Sequence, residues 1–148
     1  GYTAGNSNVI KAMAKLQGQS TSCPNSIAQN AAIEALIGNQ EIVSEMRTIF
    51  KSRRNYIVKR LNNMEGVICD KPGGAFYVFP DFTQILKNNN KINSSNDLAM
   101  YLLEKKSLVS VSGSAFGSDG NIRFSYAASE DDLSTAMNLL EESLKEIQ

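Results

Sequence analysis

Residues 113–126, Gly-Ser-Ala-Phe-Gly-Ser-Asp-Gly-Asn-Ile-Arg-Phe-Ser-Tyr, constrain the fold more than any other stretch of the chain. Gly113, Gly117 and Gly120 punctuate the first half and supply positions where φ can turn positive without a Cβ penalty. The second half alternates. Ile122, Phe124 and Tyr126 share one face of a predicted strand, and Arg123 and Ser125 share the other. An apolar face pins such a strand to a core and fixes its register. Arg123 is then carried on a rigid element beside a tight loop, where its planar guanidinium suits bidentate capture of a carboxylate. The competing reading is a structural Arg paired with a neighbouring Asp or Glu.

The rest of the chain reads as helices with short strands between them. Asn6 or Ser7 caps a predicted helix reaching about residue 17, with Val9, Ile10, Met13 and Leu16 on its apolar face. Pro24 fits the first turn of a second, Ala-rich helix that ends at Gly38-Asn39. A long helix follows over residues 40–64, with Ile42, Met46, Ile49, Phe50, Ile57, Val58 and Leu61 at helical spacing. Its basic residues Lys51, Arg53, Arg54, Lys59 and Arg60 are expected on the solvated face. Residues 67–69 and 75–80 read as strands, the second as a plain core strand, and 81–86 as a turn or helical piece. An Asn-rich loop leads to Ser94 or Ser95, caps for a helix over 97–105 that buries Leu98, Tyr101 and Leu102. Residues 108–111 form the strand entering the glycine turn. Ser129 caps a final helix with an acidic first turn and Leu133, Met137, Leu140 and Leu144 inward.

Composition excludes several classes. A chain of 148 residues is long enough for a real core. Lys plus Arg and Asp plus Glu both number 15, which argues against a nucleic-acid partner recruited by bulk charge. No apolar run is long enough to span a membrane, and no targeting peptide is visible. The two cysteines, Cys23 and Cys69, are far apart and read as reduced thiols, which suits a cytoplasmic protein. With no His, His-based triads and most zinc sites fall away, so no metal site is expected. Gly113-x-x-x-Gly117 is not a phosphate loop, because no Gly-Lys-Ser/Thr follows it.

Three segments, in order, carry a family resemblance. Gly1, Tyr2 and Gly5 match the end of a SKxxxMTGWRxGYxxG motif, and residues 19–29 read Gln-Ser-Thr-Ser-Cys-Pro-Asn-Ser-Ile-Ala-Gln. Residues 110–117 and 121–127 match a pattern of PGxxFG followed by a strand with Arg-hydrophobic-Ser, except that Ser112 stands where the pattern has Pro. The strand with Ala75-Phe76-Tyr77 agrees as well. Together they resemble the class I aminotransferases, which use pyridoxal 5'-phosphate (PLP), and most closely the bacterial aspartate aminotransferase branch, some members of which also accept prephenate.

The resemblance implies an α+β fold: a small C-terminal domain with a short-stranded sheet covered by helices, preceded by two helices from the end of the large domain. The implied division is residues 1–39 for the end of the large PLP-binding domain and 40–148 for the small domain. It also implies that the chain is the C-terminal part of a longer enzyme. The lysine that forms the Schiff base and the arginine that holds the cofactor phosphate would lie before Gly1, so the chain alone would be inactive, with no catalytic or cofactor-binding residue of its own. Arg123 falls on the residue that binds the substrate α-carboxylate. The implied partners are a small amino acid and a 2-oxo acid, aspartate and 2-oxoglutarate giving oxaloacetate and glutamate, within a homodimer. In the family the loop around residues 17–22 lies near the dimer interface, and a partner-subunit Arg there binds the distal carboxylate. No Arg lies between Lys15 and Ser22, so that contact would come from elsewhere. Two alternatives stand beside this reading: an aminotransferase-like binding or regulatory module, and an aminotransferase of other amino acid specificity.

Overall fold

A computed structural model describes residues 1–147. The chain divides into two units, Gly1–Val43 and Ser44–Gln148. In the first, Asn6 caps α1 (Ser7–Ser20) by accepting from the Asn8 N–H. Asn25 caps α2 (Ser26–Ile37), accepting from Ile27 and Ala28. Pro24 therefore precedes the cap instead of occupying the first turn, because an Asx side chain satisfies the orphan donors that a proline cannot. No residue of α1 or α2 is buried, and Val9, Leu16, Ile27 and Leu36 stand exposed.

The helix α3 (Glu41–Asn62) leads into the second unit, where Ile57 and Leu61 enter the core. There follow β1 (Tyr77–Val78), α4 (Thr83–Lys87), α5 (Ser95–Lys106), β2 (Val111–Ser112), a 3-10 turn (Gly113–Phe116), β3 (Ile122–Ser125) and α6 (Glu130–Ile147). The sheet is antiparallel, with order β1-β3-β2. Val78, Ile122 and Phe124 point from its inner face into one core with Leu98 and Leu102 of α5 and Leu133, Met137, Leu140 and Leu144 of α6. The 133-137-140-144 spacing is one helical stripe, so α6 buries one side and leaves its acidic first turn in water. Ser94 and Asp97 close a reciprocal capping box at the start of α5.

The strands are shorter than the sequence suggests, for local reasons. In the expected strand 75–80, Ala75 sits at φ 59°, a left-handed conformation, and Pro80 has no N–H to give to a ladder. Only Tyr77 and Val78 pair, although the Pro80 carbonyl still accepts from Ile122 N–H at 3.2 Å. In the expected strand 67–69, Ile68 makes a single bridge to Asp81. The Asn62 side chain serves both backbone groups of Cys69, accepting from its N–H and donating to its carbonyl, each at 2.8 Å, where a strand neighbour would otherwise be needed. Strand 108–111 likewise shrinks and shifts to Val111–Ser112.

The two cysteines differ sharply in setting. Cys23 is exposed and Cys69 is buried. Burial, then the neighbouring Asp70 carboxylate, pushes the Cys69 thiol up to about 11. At pH 8 only about one molecule in a thousand would carry the reactive thiolate there. Maleimide treatment of the native chain at pH 8 is expected to label Cys23 alone, with Cys69 reacting after denaturant is added. Equal labelling of both in native buffer, read by mass spectrometry, would contradict the packing around Cys69.

Candidate functional site

Arg123 lies in the middle of β3, paired across to Val111 on β2. Its neighbours Ile122 and Phe124 are buried, so the alternation holds Arg123 on the outer face of the sheet, half-buried. On β1, Tyr77 is in register with Ser125, two residues along from Arg123 on the same face. That diagonal relation is within reach of long side chains. The Arg123 Cζ sits over the Tyr77 ring at 4.5 Å from its centroid. It also sits over the Phe116 ring at 4.7 Å.

Phe116 reaches Arg123 because the turn after β2 is tightly held. Ser112 caps the 3-10 turn by accepting from the Ser114 N–H. Gly113 N–H donates to the Asn121 carbonyl at 2.8 Å, and the Gly113 carbonyl accepts from Ser118 N–H at 3.0 Å. Gly117 ends the turn in the left-handed region, at φ 78°. Beneath it lies Ser95, fully buried at the start of α5. Its hydroxyl donates to Asp119 Oδ1 at 2.8 Å, lies 2.7 Å from the Ser112 hydroxyl, and accepts from Ser114 N–H at 3.2 Å. The loop that carries Phe116 is thus tied to both a helix start and a strand end.

The Arg123 side chain makes no ion pair and no hydrogen bond among the described residues. No Asp or Glu among the described residues pairs with the Arg123 guanidinium. What holds it is two aromatic rings, which engage its charge without using its N–H donors. An unpaired guanidinium on a rigid strand, facing out of the sheet, is chemically a receptor for a carboxylate or similar oxyanion.

The arginines of α3 divide: Arg54 and Arg60 are engaged by hydrogen bonds, whereas Arg53, like Arg123, has no ion pair or side-chain hydrogen bond among the described residues but rests against a single ring and not between two. Arg53 sits over Phe50, Arg54 donates to the Pro72 carbonyl at 3.0 Å, and Arg60 donates to Tyr56 Oη and Asn138 Oδ1, both at 2.8 Å. These three are half-buried braces, not the solvated face expected from the sequence, where only Lys51 and Lys59 of that run stay exposed. Residues 20–22 belong to the unit Gly1–Val43, where Ser20 ends α1 and Ser22 adopts φ 63°. Every lysine except Lys106 is exposed, and Lys106 is held by Glu146 at 2.7 Å. Among the described residues no cluster of metal-binding side chains is formed, and no helix is long and apolar enough to cross a membrane.

Comparison with known proteins places the chain in a family. The family profile described as aminotransferase class I and II matches residues 1–140. The chain belongs to the class I and II aminotransferases. This aminotransferase chain is 44% identical over 140 residues to a probable aspartate/prephenate aminotransferase of Rhizobium leguminosarum bv. phaseoli, covering 92% of the chain and 35% of the relative. It is 44% identical over 151 residues to an aspartate aminotransferase of Pinus pinaster, covering 97% and 31%. Among solved structures, the aspartate aminotransferase of Rhizobium meliloti superposes with a TM-score of 0.86 at 38% identity, covering 95% of the chain and 36% of that structure. The aromatic aminotransferase of Pyrococcus horikoshii OT3 superposes with a TM-score of 0.85 at 36% identity, covering 97% and 38%. The chain spans about a third of the length of the curated relatives it matches. Short strands with a helical cover, as expected for the small domain of such enzymes, are what the structure contains.

Tyr77 and Phe116 were not marked as site residues by the sequence. Tyr77 sits inside an apolar run that reads as core, and Phe116 inside a turn. The signal that singles them out is spatial: a cross-strand diagonal and a folded-back turn.

Proposed function

We propose that this chain is the C-terminal part of a PLP-dependent aminotransferase acting on aspartate and 2-oxoglutarate, with Arg123 as the residue that binds the substrate α-carboxylate. The observation that carries the reading is the unpaired guanidinium of Arg123, fixed on β3 between two rings, in a chain of this family. Residues 1–39 are proposed as the end of the large domain and residues 40–148 as the small domain. The division of the chain between Val43 and Ser44 supports a boundary in that region. Aspartate is favoured as substrate because matched relatives are named for aspartate or for aspartate and prephenate. A cytoplasmic homodimer is proposed on the same family grounds.

PLP supplies the electron sink for amino-group transfer when bound. The residues present here do not fit it. A lysine joined to the cofactor needs a sheltered position, and the lysines of this chain are exposed or, for Lys106, engaged by Glu146 and Glu142. The cofactor contacts are therefore assigned to parts of the enzyme outside this chain, and Arg123 is its contribution to the active site.

Two measurements test this. The whole protein, purified with PLP, is expected to convert aspartate and 2-oxoglutarate to oxaloacetate and glutamate. The 148-residue chain mixed with PLP and aspartate is expected to give no turnover and no cofactor–lysine absorbance. Loss of transamination with every amino acid tried in the whole protein would favour a regulatory module instead. Stoichiometric transamination by the chain alone would overturn the assignment of the cofactor site.

A further inference from the structure

We propose that Tyr77 and Phe116 are positioning residues that set the orientation of the Arg123 guanidinium for its carboxylate. The proposal rests on the reading of Arg123 as the carboxylate-binding residue.

Five side chains form a continuous series of contacts centred on Arg123. Phe76 and Tyr77 have ring centroids 4.2 Å apart. Arg123 lies over Tyr77 at 4.5 Å and over Phe116 at 4.7 Å. Phe116 in turn meets Phe79 edge-on, with centroids 5.9 Å apart. Three of the rings lie at the surface of this chain: Phe76 is 42% exposed, Phe79 38% and Phe116 50%. Nothing about the core requires these rings, since Val78 and Pro80 supply the buried positions of the same segment. Their common feature is the cation at the centre of the series.

The chemistry explains why rings suit this task better than a carboxylate. A structural Asp or Glu at Arg123 would neutralise its charge and occupy its N–H fork, leaving a poor receptor. An aromatic face attracts the guanidinium through its quadrupole and limits its rotamers, yet accepts none of its strong hydrogen bonds. The donors stay available and already aimed, so less ordering is required when a carboxylate arrives. Both rings are well anchored for such work. Tyr77 is set by its pairing with Ser125. Phe116 is set by the turn held through Ser112, Ser114 and buried Ser95.

The test uses the whole enzyme with PLP bound and aspartate as substrate. Tyr77→Leu and Phe116→Leu are each expected to lower kcat/KM by roughly 3- to 30-fold, mainly through a raised KM. Tyr77→Phe and Phe116→Tyr keep a ring and are expected to restore values near wild type. In an Arg123→Gln background, where no cation remains to be positioned, the leucine changes are expected to cost nothing further. If the leucine variants keep wild-type kcat/KM while Arg123→Lys is impaired, the positioning role is wrong and the carboxylate assignment stands. If Arg123→Lys is itself unimpaired, the carboxylate assignment falls and the positioning role with it. Leucine effects that persist undiminished in the Arg123→Gln background, or that ring-keeping variants fail to rescue, also overturn the proposal.

Discussion

Arg123→Lys in the whole enzyme is expected to reduce kcat/KM for aspartate by roughly 10- to 150-fold, matching the about 1.5–3 kcal/mol of one lost hydrogen bond to a charged group. The charge survives the change, so the loss must come from geometry. A carboxylate accepts two parallel N–H bonds from a guanidinium and cannot do so from an ammonium. The planar group resting between Tyr77 and Phe116 would also be replaced by a rounder, more strongly hydrated one. Folding should change little, because the Arg123 side chain makes no ion pair or hydrogen bond among the described residues whose loss would leave a buried partner. Purified wild type and Arg123→Lys, compared by steady-state kinetics and thermal midpoint, separate the two possibilities. A normal kcat/KM with a lowered midpoint would make Arg123 structural and remove the substrate-binding assignment.

The second large effect is on stability. Gly113→Ala is expected to cost about 2–4 kcal/mol, the sum of overpacking and weakened hydrogen bonds, and to lower the melting midpoint by roughly 10 °C or more. A Cβ on Gly113 would be driven into the carbonyl oxygens of Ser118 and Asn121, both backbone atoms that no rotamer change can move aside. Relief would require shifting the turn or the start of β3, at the expense of the bond from Gly113 N–H to the Asn121 carbonyl. Gly117 offers the contrast. It needs a left-handed backbone but faces open space, so Gly117→Asn, a residue that tolerates that region, should be nearly neutral. Circular-dichroism melts of the three chains decide the matter. An unshifted midpoint for Gly113→Ala would mean that the turn is looser than these contacts imply.

Those glycines show where sequence reading succeeded and where it stopped. Their presence marks a tight turn, and a tight turn is there. The physical reason differs from the expected one at two of the three, since only Gly117 has positive φ. Gly113 and Gly120 are needed because other atoms approach them, the Thr83 hydroxyl in the case of Gly120. At Gly120 that proximity is set by Thr83 and Asp81, distant in sequence, and leaves no local trace; at Gly113 it comes from Ser118 and Asn121 of the same turn, through a folding back that the residue types alone do not show. The helices were legible because periodicity is local: the 133-137-140-144 stripe and the Ser94–Asp97 box appear in the structure as read. The strands were not, because their length depends on a left-handed Ala75 and on an Asn62 side chain standing in for a neighbour. The alternation of β3 put Arg123 on the outer face correctly. Which groups would surround it there required the register of β1 and the return of the turn.

The burial of α6 has a bearing on when the second unit can acquire its shape in a cell. Leu133, Met137, Leu140 and Leu144 are core residues, and they meet Leu98 and Leu102 and the inner side of three strands only two to four residues long. So short a sheet has too few ladder bonds to persist by itself. During synthesis, the nascent chain through β3 therefore holds an unfinished hydrophobic surface until residue 144 has cleared the ribosome. Chaperone access while the segment encoding α6 is synthesised thus bears directly on the yield of the second unit.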